Sequence, residues 1–185
     1  MINILNYYDK ILDRNHISPS SYFEWNTYRA FNALGGFIKI TPNFKMDNDG
    51  KPAGDAKPGV ADIIINYDKI DLILECSLRN GVSQVDYEGN SVYRHSVDLK
   101  KSSKKMCLTL FISPNIHDEL YEYYADHSNV TIIPLTLSQF KKLIVSVKNK
   151  DIEEYLLTIK KNLSYDNFES YDNWKLAIDN YINDL

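Results

Sequence analysis

Residues 58–78, PGVADIIINYDKIDLILECSL, constrain this chain more than any other stretch. Two β-branched and aliphatic runs, 60–67 and 70–78, flank a two-residue polar link at Asp68-Lys69 and predict an antiparallel hairpin. Each run buries one carboxylate, Asp62 in the first and Glu75 in the second, and Asp71 stands beside the link. Side chains alternate faces along a strand. If Asp68-Lys69 is the whole loop, Tyr67 faces Ile70, and counting outward sets Asp62 opposite Glu75. Facing residues hold their Cβ atoms roughly 4.5–5.5 Å apart. At an effective dielectric near 20, two like charges ~4 Å apart repel by roughly 4 kcal/mol. Either one acid holds a proton or a cation lies between them, and a hard divalent ion such as Mg²⁺ suits two carboxylates completed by carbonyls and waters. The plainer alternative is a carboxylate at a strand end, solvated or paired with a lysine.

The company of this pair weighs on that choice. Pro58, Asp62 and Glu75-Cys76-Ser77 resemble the PD-(D/E)xK nuclease signature, with Ser77 where that signature has lysine. Four blocks, the hairpin among them, are similar to the AlwI-like group of type IIS restriction endonucleases. They are Tyr22-Phe23-Glu24-Trp25 with Arg29-Ala30-Phe31, the hairpin itself, Asp86-Tyr87-Glu88-Gly89 with Arg94-His95, and Ile133-Pro134-Leu135-Thr136-Leu137. The resemblance runs from about residue 19 to 143 and is nearest to the small catalytic subunits of heterodimeric members. It implies an α/β fold, a restriction-endonuclease-like mixed β-sheet core flanked by helices. It also implies a Mg²⁺ cofactor (Mn²⁺ substituting), double-stranded DNA as substrate, and a larger recognition subunit as partner. By the same resemblance Asp62 and Glu75 bind the metal with the Cys76 backbone carbonyl. Glu24 and Glu88 complete the acidic site, and His95 positions or protonates groups near it.

Residue-level readings stand beside these. A helix is expected from about residue 22 to 34, stopping at Gly35-Gly36, and Ser21-x-x-Glu24 has the form of a capping box, which would occupy Glu24 structurally. A second helix, about 83–101, would put Glu88 and His95 on one face, seven residues apart, with Gln84 a weaker site candidate. It ends in a basic run, and Lys100, Lys101 and Lys104 with Arg94 are the candidate phosphate contacts. Residues 46–57 read as an exposed loop. Residues 106–113 and 130–135 read as buried strands, Thr136-x-x-Gln139 as a capping box, and 151–163 and 171–185 as helices.

Composition limits the function. A chain of 185 residues with 44% apolar content is expected to form one nuclease domain over 1–185, its last segment, about 150–185, helical. Net charge is −4; residues 151–185 hold eight acids against three lysines, which leaves the first 150 residues at +1. A protein gripping DNA alone carries a strongly basic face, because phosphate neutralisation supplies most nonspecific affinity. That surplus is missing here, an independent reason to expect a partner. Two cysteines without metal-ligand spacing read as reduced thiols, no signal peptide is evident, no apolar run reaches membrane-spanning length, and a cytoplasmic location is expected. A self-sufficient homodimeric nuclease and a non-catalytic DNA- or protein-binding module on the same fold are the alternatives.

Overall fold

The computed structural model describes residues 1–13, 16–54, 57–148 and 150–184. Its centre is a five-stranded mixed sheet built from β1 (Lys39–Pro42), β4 (Ile63–Asn66), β5 (Ile70–Cys76), β6 (Met106–Ser113) and β7 (Ile132–Thr136), in the order β1-β4-β5-β6-β7. β1, β4 and β5 pair antiparallel, whereas β5, β6 and β7 run parallel. The expected hairpin register is the one observed: Ile63 faces Leu74, and Tyr67 N–H donates to Ile70 O at 3.0 Å. Continuing by one residue puts Asp62 across from Glu75.

The central strands need apolar side chains on both faces, and they have them: Leu72, Leu74, Leu108, Leu110, Ile112 and Ile133 are wholly buried. Parallel neighbours require long crossovers. The first runs through α3 (Val82–Gln84), a π-helical turn (Val85–Gly89) and α4 (Asn90–Ser102); the second runs through α5 (Asp118–Asp126). α1 (Ile2–Ile11) packs on α2 (Pro19–Leu34), and α2 crosses β5. At the other end, α6 (Leu137–Val147) starts at the expected capping box, Thr136 with Gln139. α7 (Ile152–Leu163) contacts β5, while α8 (Tyr171–Asn183) packs on α5, α6 and α7 with Trp174 and Ile178 buried.

Three local expectations are corrected. α2 begins at Pro19, not near residue 22, because proline at the first helical position has no N–H to leave unpaired and its φ is already helical. Ser21 therefore lies inside the helix, and the capping box with Glu24 does not form. The helix expected over 83–101 is broken by the π-turn at 85–89, where Gly89 lies against Tyr123: a Cβ there would come within 3.3 Å of the ring. Finally, the stretch read as an exposed loop holds a small hairpin, β2 (Lys45–Met46) with β3 (Pro52–Gly54). Trp25 Nε1 donates to Gly50 O at 2.7 Å and pins its tip to α2. Asp55 and Ala56 of that stretch lie outside the described residues.

Helix α2 stops where expected. Gly35 and Gly36 both have positive φ, 70° and 75°, and a Cβ on Gly36 would sit 2.9 Å from Ile152 Cγ2.

Candidate active site

The elements converge on a cleft of about 650 Å³ at the C-terminal end of β5. Four carboxylates line it: Glu24 from α2, Asp62 from the approach to β4, Glu75 from β5 and Glu88 from the π-turn. His95 of α4 joins them. Each arrives from a different element, so no short sequence window contains the group.

Shifting the start of α2 to Pro19 matters here. With Ser21 no longer a cap, Glu24 is a helix-interior carboxylate, only 6% exposed, lining the cleft. Asp62 is oriented by the strand edge: its Oδ2 accepts from Cys76 N–H at 2.8 Å. A strand residue's N–H and C=O point to the same side, so the Cys76 carbonyl also faces the gap left where β4 has ended. Glu75, also 6% exposed, meets His95 Nδ1 through Oε1 at 2.7 Å. The lysine-paired strand-end reading is not what β5 shows for Glu75.

Glu88 sits in a short network. Ser77 Oγ donates to Glu88 Oε1 at 2.8 Å, and Arg79 Nε approaches the same oxygen at 3.2 Å. Arg79 is itself locked. Its N–H donates to Ser77 Oγ, its carbonyl accepts from Gln84 Nε2, and its guanidinium lies 4.3 Å from the centre of the Tyr87 ring. The π-turn thus points Glu88 and Tyr87 at the strand end that carries Ser77 and Arg79. Such turns recur at functional sites because they re-aim side chains that a regular helix would place elsewhere.

Burial is the main force on the ionisable groups. It pushes the Glu75 carboxyl well above the usual range, and the negative charges of Glu88 and Glu24 push the same way against a backbone hydrogen bond from Asp62. Burial, followed by Arg94, lowers the His95 imidazole. Without a cation, both partners of the Glu75–His95 contact therefore favour their neutral forms, one proton lying between them. His95 Nε2, buried in the same wall, has no hydrogen-bond partner among the described residues.

The donor set fits a magnesium-like ion of limited protein ligation. Among the described residues no three His, Cys, Asp or Glu side chains form a ready metal cage. Two carboxylates with a backbone carbonyl are what remain, and Mg²⁺ is commonly held by one or two carboxylates with waters and substrate phosphate completing the shell. Burial raises Glu75 most, and the neighbouring charges of Glu88 and Glu24 add to it, a setting that suits a cation in that place.

The other sequence candidates fall elsewhere. Lys100 and Lys101 lie in the last turn of α4 with Lys104 just beyond it, and none lines the cleft; Arg94 is exposed on α4. Gln84, completely buried, is a structural pin: the two Nε2 hydrogens are shared among Arg79 O, Ser113 Oγ and Asn115 O, and Oε1 accepts from His117 N–H. The cations on the cleft wall are Arg79 and Lys57, which the sequence reading did not single out. A cation two residues beyond Ser77, which stands in the lysine position, was the available signal.

A mixed sheet carrying its acids on one antiparallel hairpin, with helices on either side, defines the restriction-endonuclease-like α/β class. The model of the AlwI restriction endonuclease family matches residues 2–143, and the chain belongs to that family. Among solved structures it is similar to the small subunit, R.BspD6I2, of the heterodimeric restriction endonuclease R.BspD6I. The two share 36% identity and a TM-score of 0.84 over 98% of this chain and 99% of that one. No curated protein matches the sequence. Among the described residues, no helix is long and apolar enough to cross a membrane.

Proposed function

We propose that this chain is the catalytic small subunit of a type IIS restriction enzyme, hydrolysing one strand of duplex DNA with a divalent metal, Mg²⁺ or Mn²⁺. One domain, spanning the whole chain, carries that activity in the cytoplasm. The observation that carries this reading is the pairing of Asp62 and Glu75 at the mouth of an acidic cleft, each oriented by a neighbour, in a chain of this family. Asp62, Glu75 and the Cys76 carbonyl would hold the ion. The chemistry such an ion would supply there is polarisation of a scissile phosphate and a lowered pKa for an attacking water.

The remaining roles belong to side chains of this protein. His95 holds Glu75 in place, its Nδ1 facing the carboxyl oxygen that gives up a proton when Glu75 ionises. Ser77 takes the position of the signature lysine and fixes Glu88. Arg79, backed by Tyr87 and aimed along the same wall, supplies the positive charge that a lysine would bring to the phosphate. Glu24 closes the acidic face from α2.

A partner is implied by the charge of the first 150 residues, which is almost balanced and offers little nonspecific grip on phosphates. The solved relative belongs to a heterodimer. A larger subunit would read the site and cut the opposite strand. The test is supercoiled plasmid incubated with both subunits, this one carrying Glu75→Ala. The expected product is nicked circle; linear product at the wild-type rate overturns the catalytic assignment.

A further inference from the structure

At the opposite end of the sheet from the acidic cleft, three lysines from different elements meet over a second, smaller cavity of about 170 Å³. Lys100 comes from the last turn of α4, Lys160 from the last turn of α7, and Lys105 from the turn before β6. Cys107, Thr109 and Thr131 supply a thiol and two hydroxyls to the lining, and among the described residues no carboxylate lines the cavity. We infer that this cavity is an oxyanion site for a phosphate group, separate from the cleft.

The neighbouring charges decide the sign. Each lysine already has one anchor: Lys160 Nζ donates to Thr131 Oγ1 at 2.6 Å, Lys100 to Asn129 O, and Lys105 to Tyr67 O. An ammonium has three donors, so every one retains capacity after its anchor. Against three positive charges stand Asp71, 3.6 Å from Lys105, and the C-terminal ends of α4 and α7, each worth roughly half a negative charge. The balance is about one positive charge. Burial is the largest influence on the Lys160 ammonium and lowers it; Cys107 acts against that, Lys100 lowers it further, and Asp166, beyond α7, attracts it most weakly of the four. A half-buried lysine whose hydrogen bond goes to a hydroxyl instead of a carboxylate is an unusual arrangement, because buried ammonium groups are ordinarily paired. An oxyanion supplies the missing partner.

Size narrows the ligand. A water occupies roughly 30 Å³ of liquid, so the cavity holds a tetrahedral oxyanion and a few waters but not a nucleoside. The phosphate is therefore either free or projects from a polymer lying across the surface. Strand β6 spans eight residues, roughly 26 Å, between this end and the cleft. A phosphate here is thus not the one to be cut.

The experiment titrates the isolated, metal-free protein with inorganic phosphate at ionic strength balanced with chloride, reading the melting temperature and amide NMR shifts. At ten times the dissociation constant the melting temperature should rise by about 3–6 °C. Amide shifts should cluster at Cys107, Asn129 and Thr131. Lys160→Met should abolish both responses, while Lys161→Met, on the exposed face of the same helix, should keep them. Lys100→Met, at an exposed position, should weaken phosphate several-fold and guards against a folding defect in the first variant. Equal responses in wild type and Lys160→Met, or shifts confined to Arg79 and Lys57, overturn the site. Duplex binding in Ca²⁺ then separates the sources. If the ligand is a DNA phosphate, Lys160→Met weakens binding and reduces the salt slope by about 0.9; if it is a free oxyanion, duplex affinity is unchanged. Neither readout depends on cleavage, so failure of the nuclease proposal leaves this one testable.

Discussion

Glu75→Gln separates stability from function at a single oxygen atom. Glu75 is almost fully buried, and its ionised form is opposed by burial and by Glu88 and Glu24. Glutamine keeps the shape and can still hydrogen-bond His95 Nδ1, but it removes the titratable proton. The sign follows from linkage. A carboxyl whose folded pKa lies above its unfolded value of about 4.3 holds more protons when folded, so stability falls as pH rises from that value toward the folded one. His95 is lowered by folding, so its contribution grows with pH up to about 6.5 and is complete above it. At pH 8 the wild-type protein without metal carries the Glu75 cost alone. Relieving a destabilised functional group commonly gains about 0.5–2 kcal/mol. For a chain of this size that is about 1–8 °C in melting temperature. Metal reverses the order of effects. At ten times its dissociation constant Mg²⁺ stabilises the wild type by about 1.4 kcal/mol, or about 3–6 °C, and does nothing for the variant. Differential scanning fluorimetry at pH 8, in EDTA and in 10 mM Mg²⁺, reads both numbers. A variant less stable than wild type in EDTA, or one that keeps the Mg²⁺ response, refutes the reasoning.

Two further outcomes follow from the same framework. Gln84→Ala deletes an amide whose hydrogen bonds join the end of β6 to the segment beyond β5, and should cost about 2–5 kcal/mol in urea unfolding while leaving the Mg²⁺ response intact. Loss of the metal response instead would return Gln84 to the site. Arg79→Lys keeps the charge but loses the stacking on Tyr87 and the directed contact with Glu88. The reconstituted enzyme should lose at least about tenfold in kcat with KM little changed, equivalent to about 1.4 kcal/mol. A pure KM effect would mark Arg79 as a DNA-binding group without a role in the chemical step.

The hairpin was legible because its information is local. Period, turn length and apolar content fix which residues face each other in a two-strand ladder, and Asp62 opposite Glu75 follows from counting. Glu24 was harder to read. The pattern at Ser21 satisfies a capping box in every chemical respect, and only the backbone at Ser18-Pro19, which starts the helix earlier, decides that the cap does not form. Glu88 and His95 were placed together through an assumed continuous helix. They do line one cleft, but by way of a π-turn fitted against Tyr123. The lysine run was legible as charge but not as position: density along the chain does not say that Lys100 lines a cavity at the far end of the sheet and not the acidic cleft.

From the chain alone came the facing acids and the expectation of a partner, since strand periodicity, residue chemistry and net charge are properties of short windows or of the whole composition; the class of fold came from the resemblance that its blocks carry. The gathering of Glu24, Glu75, Glu88 and His95 in one wall was left to tertiary structure, as were the place of Arg79 on that wall and the meeting of Lys100, Lys105 and Lys160. Contacts between distant segments depend on where each element starts, kinks and crosses the sheet. Those choices are made by packing energies summed over the whole core, which no local pattern contains.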